Sequence, residues 1–208
     1  MGVSEHPMHA LAKFLPEGSF DHVVHYLHHY KVHLTITKER RSVLGDYRHA
    51  GWGANHRISI NGNLNKFEFL VTLLHELAHL LTFEQFKNRV DAHGREWKNR
   101  YSTLLVDFVQ LKIFPADIER ALRKSILNPA ATANGETELL LVLRKHDVTR
   151  KQGFIPVNDV PQGSLFKMED GKIFRKGPRR RKRFDCVEVK TGVHYTFNPI
   201  TEVKLVSS

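Results

Sequence analysis

Cys186 is the only cysteine among 208 residues. A single thiol excludes an intrachain disulfide and any zinc site built on several cysteines. It lies in an apparent strand between Asp185 and Val187 with no activating neighbour, so a buried, inert side chain is expected. No apolar run reaches the roughly 18 residues needed to span a bilayer, so no membrane partner is expected. The stretch Met1-Gly2-Val3-Ser4-Glu5-His6 has no apolar signal core and lacks the Ser or Thr of a myristoylation site at position 6. These absences together predict a cytoplasmic location. Negative charge is also short: 22 acidic residues face 32 Lys and Arg, for a formal net charge of +10. Arg175, Lys176, Arg179, Arg180, Arg181, Lys182 and Arg183 carry most of that excess. The positive field is therefore local, which suggests a polyanionic partner. A hydrophobic content of 41% is enough for one good core, or for a main domain and a small second one.

The most informative stretch is Leu73-Leu74-His75-Glu76-Leu77-Ala78-His79-Leu80-Leu81, an H-E-x-x-H pattern inside an apolar helical run. A helix turns by roughly 100° per residue, so His75 and His79 share one face and can reach one metal ion. Glu76 flanks that face, where it can act on a metal-bound water without ligating the metal. Leu70, Leu73, Leu74, Leu77, Leu80 and Leu81 spread over the opposite side, the expected core face. Glu68 and Thr72 share the histidine side and are placed to orient the imidazoles from behind. Asn65 is a good N-cap, and Glu68 three residues on completes a capping box. Chance placement of two histidines in a His-rich chain is the plain alternative. The sequence Ala92-His93-Gly94-Arg95-Glu96-Trp97 weighs against it. Hydrolytic zinc needs three protein ligands and one open position, and His93 is the natural third. Gly94 lets the backbone turn tightly beside it.

His75-Glu76-Leu77-Ala78-His79 followed by His93-Gly94-Arg95-Glu96-Trp97 resembles the SprT-like metallopeptidase domain of bacterial SprT and eukaryotic Spartan. Tyr47-Arg48 and the Ile58-Ser59-Ile60-Asn61 strand also look like that family, and the resemblance spans roughly residues 15 to 125. It implies an α+β, zincin-like domain with helices packed on a small sheet. It implies one Zn2+ per chain, ligated by His75, His79 and His93, with Glu76 as general base. It also implies cleavage of peptide bonds, in Spartan those of proteins crosslinked to DNA. The paired-cysteine zinc ribbon that often follows this domain has no counterpart here.

In chain order, residues 8–15 and 19–30 read as short helices, and 32–37, 42–48 and 56–60 as strands. Ala50–Ala54 turns the chain between the last two. His22, His25, His28 and His29 on the second helix have no carboxylate or cysteine beside them and read as a solvated face. The H-E-x-x-H helix spans 66–83, with its active-site face left open. Residues 84–92 are a polar connection in which Glu84 is a rival third ligand, as is Glu96 beyond it. His93 is preferred for its context and because neutral imidazole suits zinc. Gln85 and Thr82 stand where a metzincin would carry histidine and glycine, which argues against that class. Helices over 95–112, burying Trp97 and Tyr101, and from Pro115 to about 126 close the domain, 1–127. Residues 128–137 form a linker, and 138–208 a small antiparallel β module. Its apolar run 138–144 comes first. Hairpins at Asp170-Gly171 and Thr191-Gly192 follow, and 202–206 ends it.

Two functions follow. The first is a zinc endopeptidase acting on protein or peptide substrates associated with DNA. Zinc would activate the attacking water and Glu76 would take its proton. Tyr47, Arg48 and Arg95 are candidate second donors to the oxyanion. The basic run would anchor the enzyme to DNA without sequence preference, at the nucleoid. In that reading Gly177-Pro178 turns the run between two strands, and Phe174 and Phe184 stack on unpaired bases. The alternative is a non-enzymatic nucleic-acid-binding protein that uses the zinc fold as a scaffold. Glu76 separates the two, since a structural site needs no base and usually has four protein ligands.

Overall fold

The computed structural model describes residues 8–40, 43–51, 55–130, 136–148 and 152–206. The fold is mixed α+β, and the chain divides into two units, Met1–Asp147 and Val148–Ser208. Among the described residues no helix is long and apolar enough to cross a membrane.

The first unit begins with a 3-10 helix, His9–Phe14, and helix α1, Phe20–His29. Strands β1 (His33–Thr37), β2 (Gly45–Arg48) and β3 (Arg57–Asn61) form a sheet in the order β1-β3-β2. β1 runs parallel to β3 and β2 antiparallel to it, with Tyr47 opposite Ile58. The short β2 is thus an edge strand. Arg40 fixes its approach, because its guanidinium donates to Asn61 Oδ1, Ser59 Oγ and the Leu44 carbonyl. The expected turn at Trp52–Ala54 lies outside the described residues, as does Ser42 of the expected strand 42–48.

Helix α2, Lys66–Phe86, is the central element. Asn65 Oδ1 accepts from the N–H groups of Phe67 and Glu68 at 3.1 and 3.0 Å, so the N-cap forms as the sequence predicts. The capping box does not close, since the Glu68 carboxylate faces Arg144 Nε at 3.5 Å. Nor is α2 buried on one face only. Leu73, Leu74 and Leu77 are inaccessible, but so nearly are Glu68, Thr72, His75 and Glu76. Helix α3 (Arg95–Gln110), β2 and β3 all pack against it. Polar side chains on a helix enclosed this way need partners, because burying them unpaired is costly.

α3 buries Trp97, Tyr101, Leu104, Leu105 and Phe108, as its stripe predicts. Helix α4, Ala116–Leu127, follows Pro115. The next element corrects the sequence reading. Residues 138–144, taken there as the start of the β module, lie in helix α5, Thr137–Arg144. Leu139, Leu140 and Leu143 are buried at helical spacing, and α5 packs on α4 and α2. Asn65 Nδ2 donates to the Leu143 carbonyl and to Asp147 Oδ1 at 2.9 and 2.7 Å. The unit boundary therefore falls after Asp147 instead of within 128–137.

The second unit is one six-stranded sheet in the order β4-β9-β5-β6-β7-β8. The strands are β4 Phe154–Pro156, β5 Leu165–Lys167, β6 Ile173–Arg180, β7 Arg183–Glu188, β8 His194–Phe197 and β9 Glu202–Leu205. All its pairings are antiparallel. Phe166, Phe174, Phe184, Cys186, Phe197 and Val203 lie in its core. Gly171 and Gly192, both at positive φ, sit between β5 and β6 and between β7 and β8, where the sequence places turns.

Candidate metal centre

Three imidazoles meet in the first unit. His75 and His79 lie one turn apart on α2, with ring centroids 5.1 Å apart. His93 enters from the connection to α3, its ring 5.5 Å from His75 and 4.5 Å from His79. One nitrogen of each lies within 4.8 Å of the others, close enough to hold one metal ion. Among the described residues neither Glu84 nor Glu96, the two rivals, joins this cluster. The Gly94 N–H donates to the Asp91 carbonyl at 3.0 Å, closing the turn that presents His93. Gly94 allows a close approach there, since a Cβ would lie 3.2 Å from the Cβ and the carbonyl oxygen of Asp91, a tight contact. Trp97 packs against all three rings, with centroids 4.7 Å from His75 and His93 and 5.3 Å from His79.

The donors suit a metal cation. Burial pushes His75 down to about 3, helped by His79 and His93. Burial takes His79 to about 4 and lowers His93. All three rings are therefore neutral near pH 7, with lone pairs available for coordination. His93 Nε2 is buried without a hydrogen-bond partner, a cost that coordination would remove.

Glu76 sits at the base of the same cleft, which has a volume of about 620 Å3 and is lined by β2 and the segment 87–93. Burial, reinforced by Asp46, raises its carboxyl to about 8, against the opposing pull of Arg40 and the Tyr47 N–H. That N–H donates to the carboxylate and ties β2 to α2. Gly45 makes the approach possible, because a Cβ there would stand 2.7 Å from Glu76 Oε1 and 2.8 Å from Thr72 Cγ2. Nothing in the sequence marks Gly45, since only strand–helix packing reveals its role. The expected support of the imidazoles by Glu68 and Thr72 is not seen: Glu68 faces Arg144, and Thr72 packs beneath Gly45.

The candidate oxyanion donors separate as well. Arg48 is exposed and pairs with Asp46 at 3.0 Å. Arg95 is exposed and does not line the cleft. Tyr47 does line it, with its ring parallel to His79 at 6.4 Å, but its hydroxyl meets His56 Nδ1 at 2.9 Å. His56 was not singled out by sequence.

In the second unit the basic run divides. Arg175, Arg179, Arg180, Arg181, Lys182 and Arg183 are exposed. Lys176 is not. Its Nζ donates to the carbonyls of Asn158 and Val160 at 3.0 and 2.5 Å and lies 4.1 Å from the Phe184 ring centroid. It is therefore withdrawn from the set of nucleic-acid contacts: strand alternation turns it inward, where those groups satisfy its charge. Phe174 and Phe184 are core residues, so they offer no stacking platform for bases. The turn lies at Arg181-Lys182, with Arg181 at φ 53°, whereas Gly177-Pro178 forms a bulge within β6. A Cβ on Gly177 would run into the Asp185 carbonyl. Arg180 pairs with Asp185 at 3.1 Å, and Cys186 is fully buried, its thiol pushed up by burial.

A mixed α+β unit with an H-E-x-x-H helix and a third, downstream histidine has the donor set of a metal-dependent hydrolase. The SprT-like family model matches residues 14–113, so this part of the chain is similar to the SprT-like family. No curated protein and no solved structure matches the chain.

Proposed function

We propose that the chain is a zincin-like, zinc-dependent endopeptidase that cleaves DNA-associated or DNA-crosslinked proteins. His75, His79 and His93 hold one Zn2+, and Glu76 is the general base. The observation that carries this reading is the convergence of three neutral imidazoles beside a buried carboxylate in an open cleft. Zinc held by His75, His79 and His93 would supply Lewis acidity for the scissile carbonyl and the attacking water. A dication on the three imidazoles would favour ionisation of Glu76, opposing the rise that burial gives its carboxyl. As a carboxylate oriented by the Tyr47 N–H, Glu76 would take a proton from the attacking water and return it to the leaving amine. Trp97 keeps the imidazole side of the site dry and the rings in place. β2 forms one wall of the cleft, so a substrate seated there lies against it.

The exposed arginines of the β6–β7 hairpin serve as the DNA anchor. They address phosphates, so binding follows charge and ignores sequence. The scaffold reading is disfavoured because the cluster has three protein ligands among the described residues and a carboxylate placed for base chemistry. The test is metal analysis of the full chain, with cleavage of a basic protein assayed with and without single- and double-stranded DNA. We expect one zinc per chain and DNA-stimulated cleavage. Bound zinc without cleavage under any of these conditions would favour the scaffold instead.

A further inference from the structure

Behind the cleft wall, three side chains form an unbroken path. The Tyr47 hydroxyl meets His56 Nδ1 at 2.9 Å, and His56 Nε2 meets Glu84 Oε1 at 3.2 Å. Their polarity follows from the partners. Nδ1 also receives the Ala50 N–H, at 3.3 Å, and Nε2 faces a carboxylate, which only accepts. A neutral ring with its hydrogen on Nε2 satisfies every contact. Burial keeps His56 neutral by lowering its pKa against the raising effect of Glu84. The one phenol proton of Tyr47 is thus committed to His56, which leaves none to donate to an oxyanion.

We propose that Tyr47, His56 and Glu84 are a positioning chain that clamps the edge strand β2 onto α2 beside Glu76. Among the described residues β2 has a strand partner on one side only, β3. On its other side Tyr47 is fastened to α2 twice, by its N–H to Glu76 and through its hydroxyl and His56 to Glu84. Those two anchors are eight residues apart, about two helical turns. His79 lies between them, with its ring within 2° of parallel to Tyr47. Displacing Tyr47 therefore disturbs the orientation of Glu76 and the wall against His79 together. The catalytic consequence rests on the peptidase reading, whereas the clamp itself does not.

The test uses full-length Tyr47→Phe, His56→Ala, Glu84→Ala and Glu84→Gln, with the Tyr47→Phe/His56→Ala double variant. Hydrogen–deuterium exchange of the β2 amides in metal-free protein is the first readout. Tyr47→Phe, His56→Ala and Glu84→Ala should each speed it by about tenfold or more, with α3 and the second unit unchanged. The double variant should exchange no faster than His56→Ala alone, because both break one chain. Glu84→Gln, which keeps the acceptor oxygen, should recover most of what Glu84→Ala loses. In the second readout, His56→Ala should keep its zinc and its KM for a short peptide while kcat falls about ten- to a hundredfold. Tyr47→Phe removes a single oxygen and decides the matter if His56→Ala does not fold. Unchanged β2 exchange, additive effects in the double variant, or loss of zinc in step with kcat would each overturn the proposal. Zinc binding without cleavage by the wild type would instead sink the peptidase reading, and exchange would still decide the clamp.

Discussion

The histidine centre of the first unit and the basic hairpin of the second are both dense clusters of one chemistry, yet folding treats them differently. On α2, four-residue spacing becomes proximity: His75 and His79 end with ring centroids 5.1 Å apart, both facing His93. In the hairpin, adjacency becomes separation. Arg175 and Lys176 are neighbours in sequence, but one is exposed and the other sits in the core with its amine on two carbonyls. Helical period gathers a pattern onto one face, whereas strand alternation splits a run between two. Spacing is thus a stronger guide to the metal centre than density is to the basic surface.

The largest effect that would sharpen the contrast is at Glu76. Glu76→Gln keeps the shape of the side chain but cannot take a proton. It should lower cleavage by roughly 10²–10⁴-fold at unchanged zinc content. Cleavage rates compared at equal metal occupancy check this, and retained activity would remove Glu76 as the base.

Next is the exposed part of the hairpin. Neutralising Arg179, Arg180, Arg181 and Arg183 together should weaken DNA binding. It should also flatten the dependence of log K on log salt by up to about 3–4 for a duplex. Cleavage of a short free peptide should be unchanged. A salt series of affinities, with an unaltered slope in the fourfold variant, would show the arginines to be a solvated face.

Lys176→Ala is the matching control from the buried side. It leaves two carbonyls without their donor and should cost about 1–3 kcal/mol of stability, read by urea unfolding. DNA affinity at fixed salt should not move. An affinity loss equal to that of a single exposed arginine would return Lys176 to the contact surface.

A last effect concerns the first turn of α2. Burial pushes Glu68 up to about 7, even though Arg144 pulls the other way. Between the ordinary carboxylate range and that value, the folded state keeps a proton that the unfolded chain has released. The contribution of Glu68 is therefore full at acid pH and is lost as pH rises through about 7. Relative to Glu68→Gln, the wild type should lose roughly 3 kcal/mol across that window. Parallel pH series of unfolding free energies test it, and a constant difference would contradict the shift.

Much of the centre was legible in the sequence. The Asn65 cap, the histidine spacing and the His93-Gly94 turn each depend on local geometry, which short patterns encode. The Gly45 approach and the His56–Glu84 pair were not, because they arise where β2 meets α2, between residues far apart in the chain. The helical fate of 138–144 was misread because an apolar run that short has no decisive period until its neighbours bury it. Lys176 was misplaced for a related reason: its carbonyl partners at 158 and 160 lie outside the run.

The most direct test of the account is zinc content across single replacements of the three competing third ligands. Wild type, His93→Ala, Glu84→Ala and Glu96→Ala would be purified alike and their bound metal measured per chain. Convergence of His75, His79 and His93 predicts one zinc in wild type, Glu84→Ala and Glu96→Ala, and loss of zinc in His93→Ala. Full zinc in His93→Ala together with loss in Glu96→Ala would contradict it.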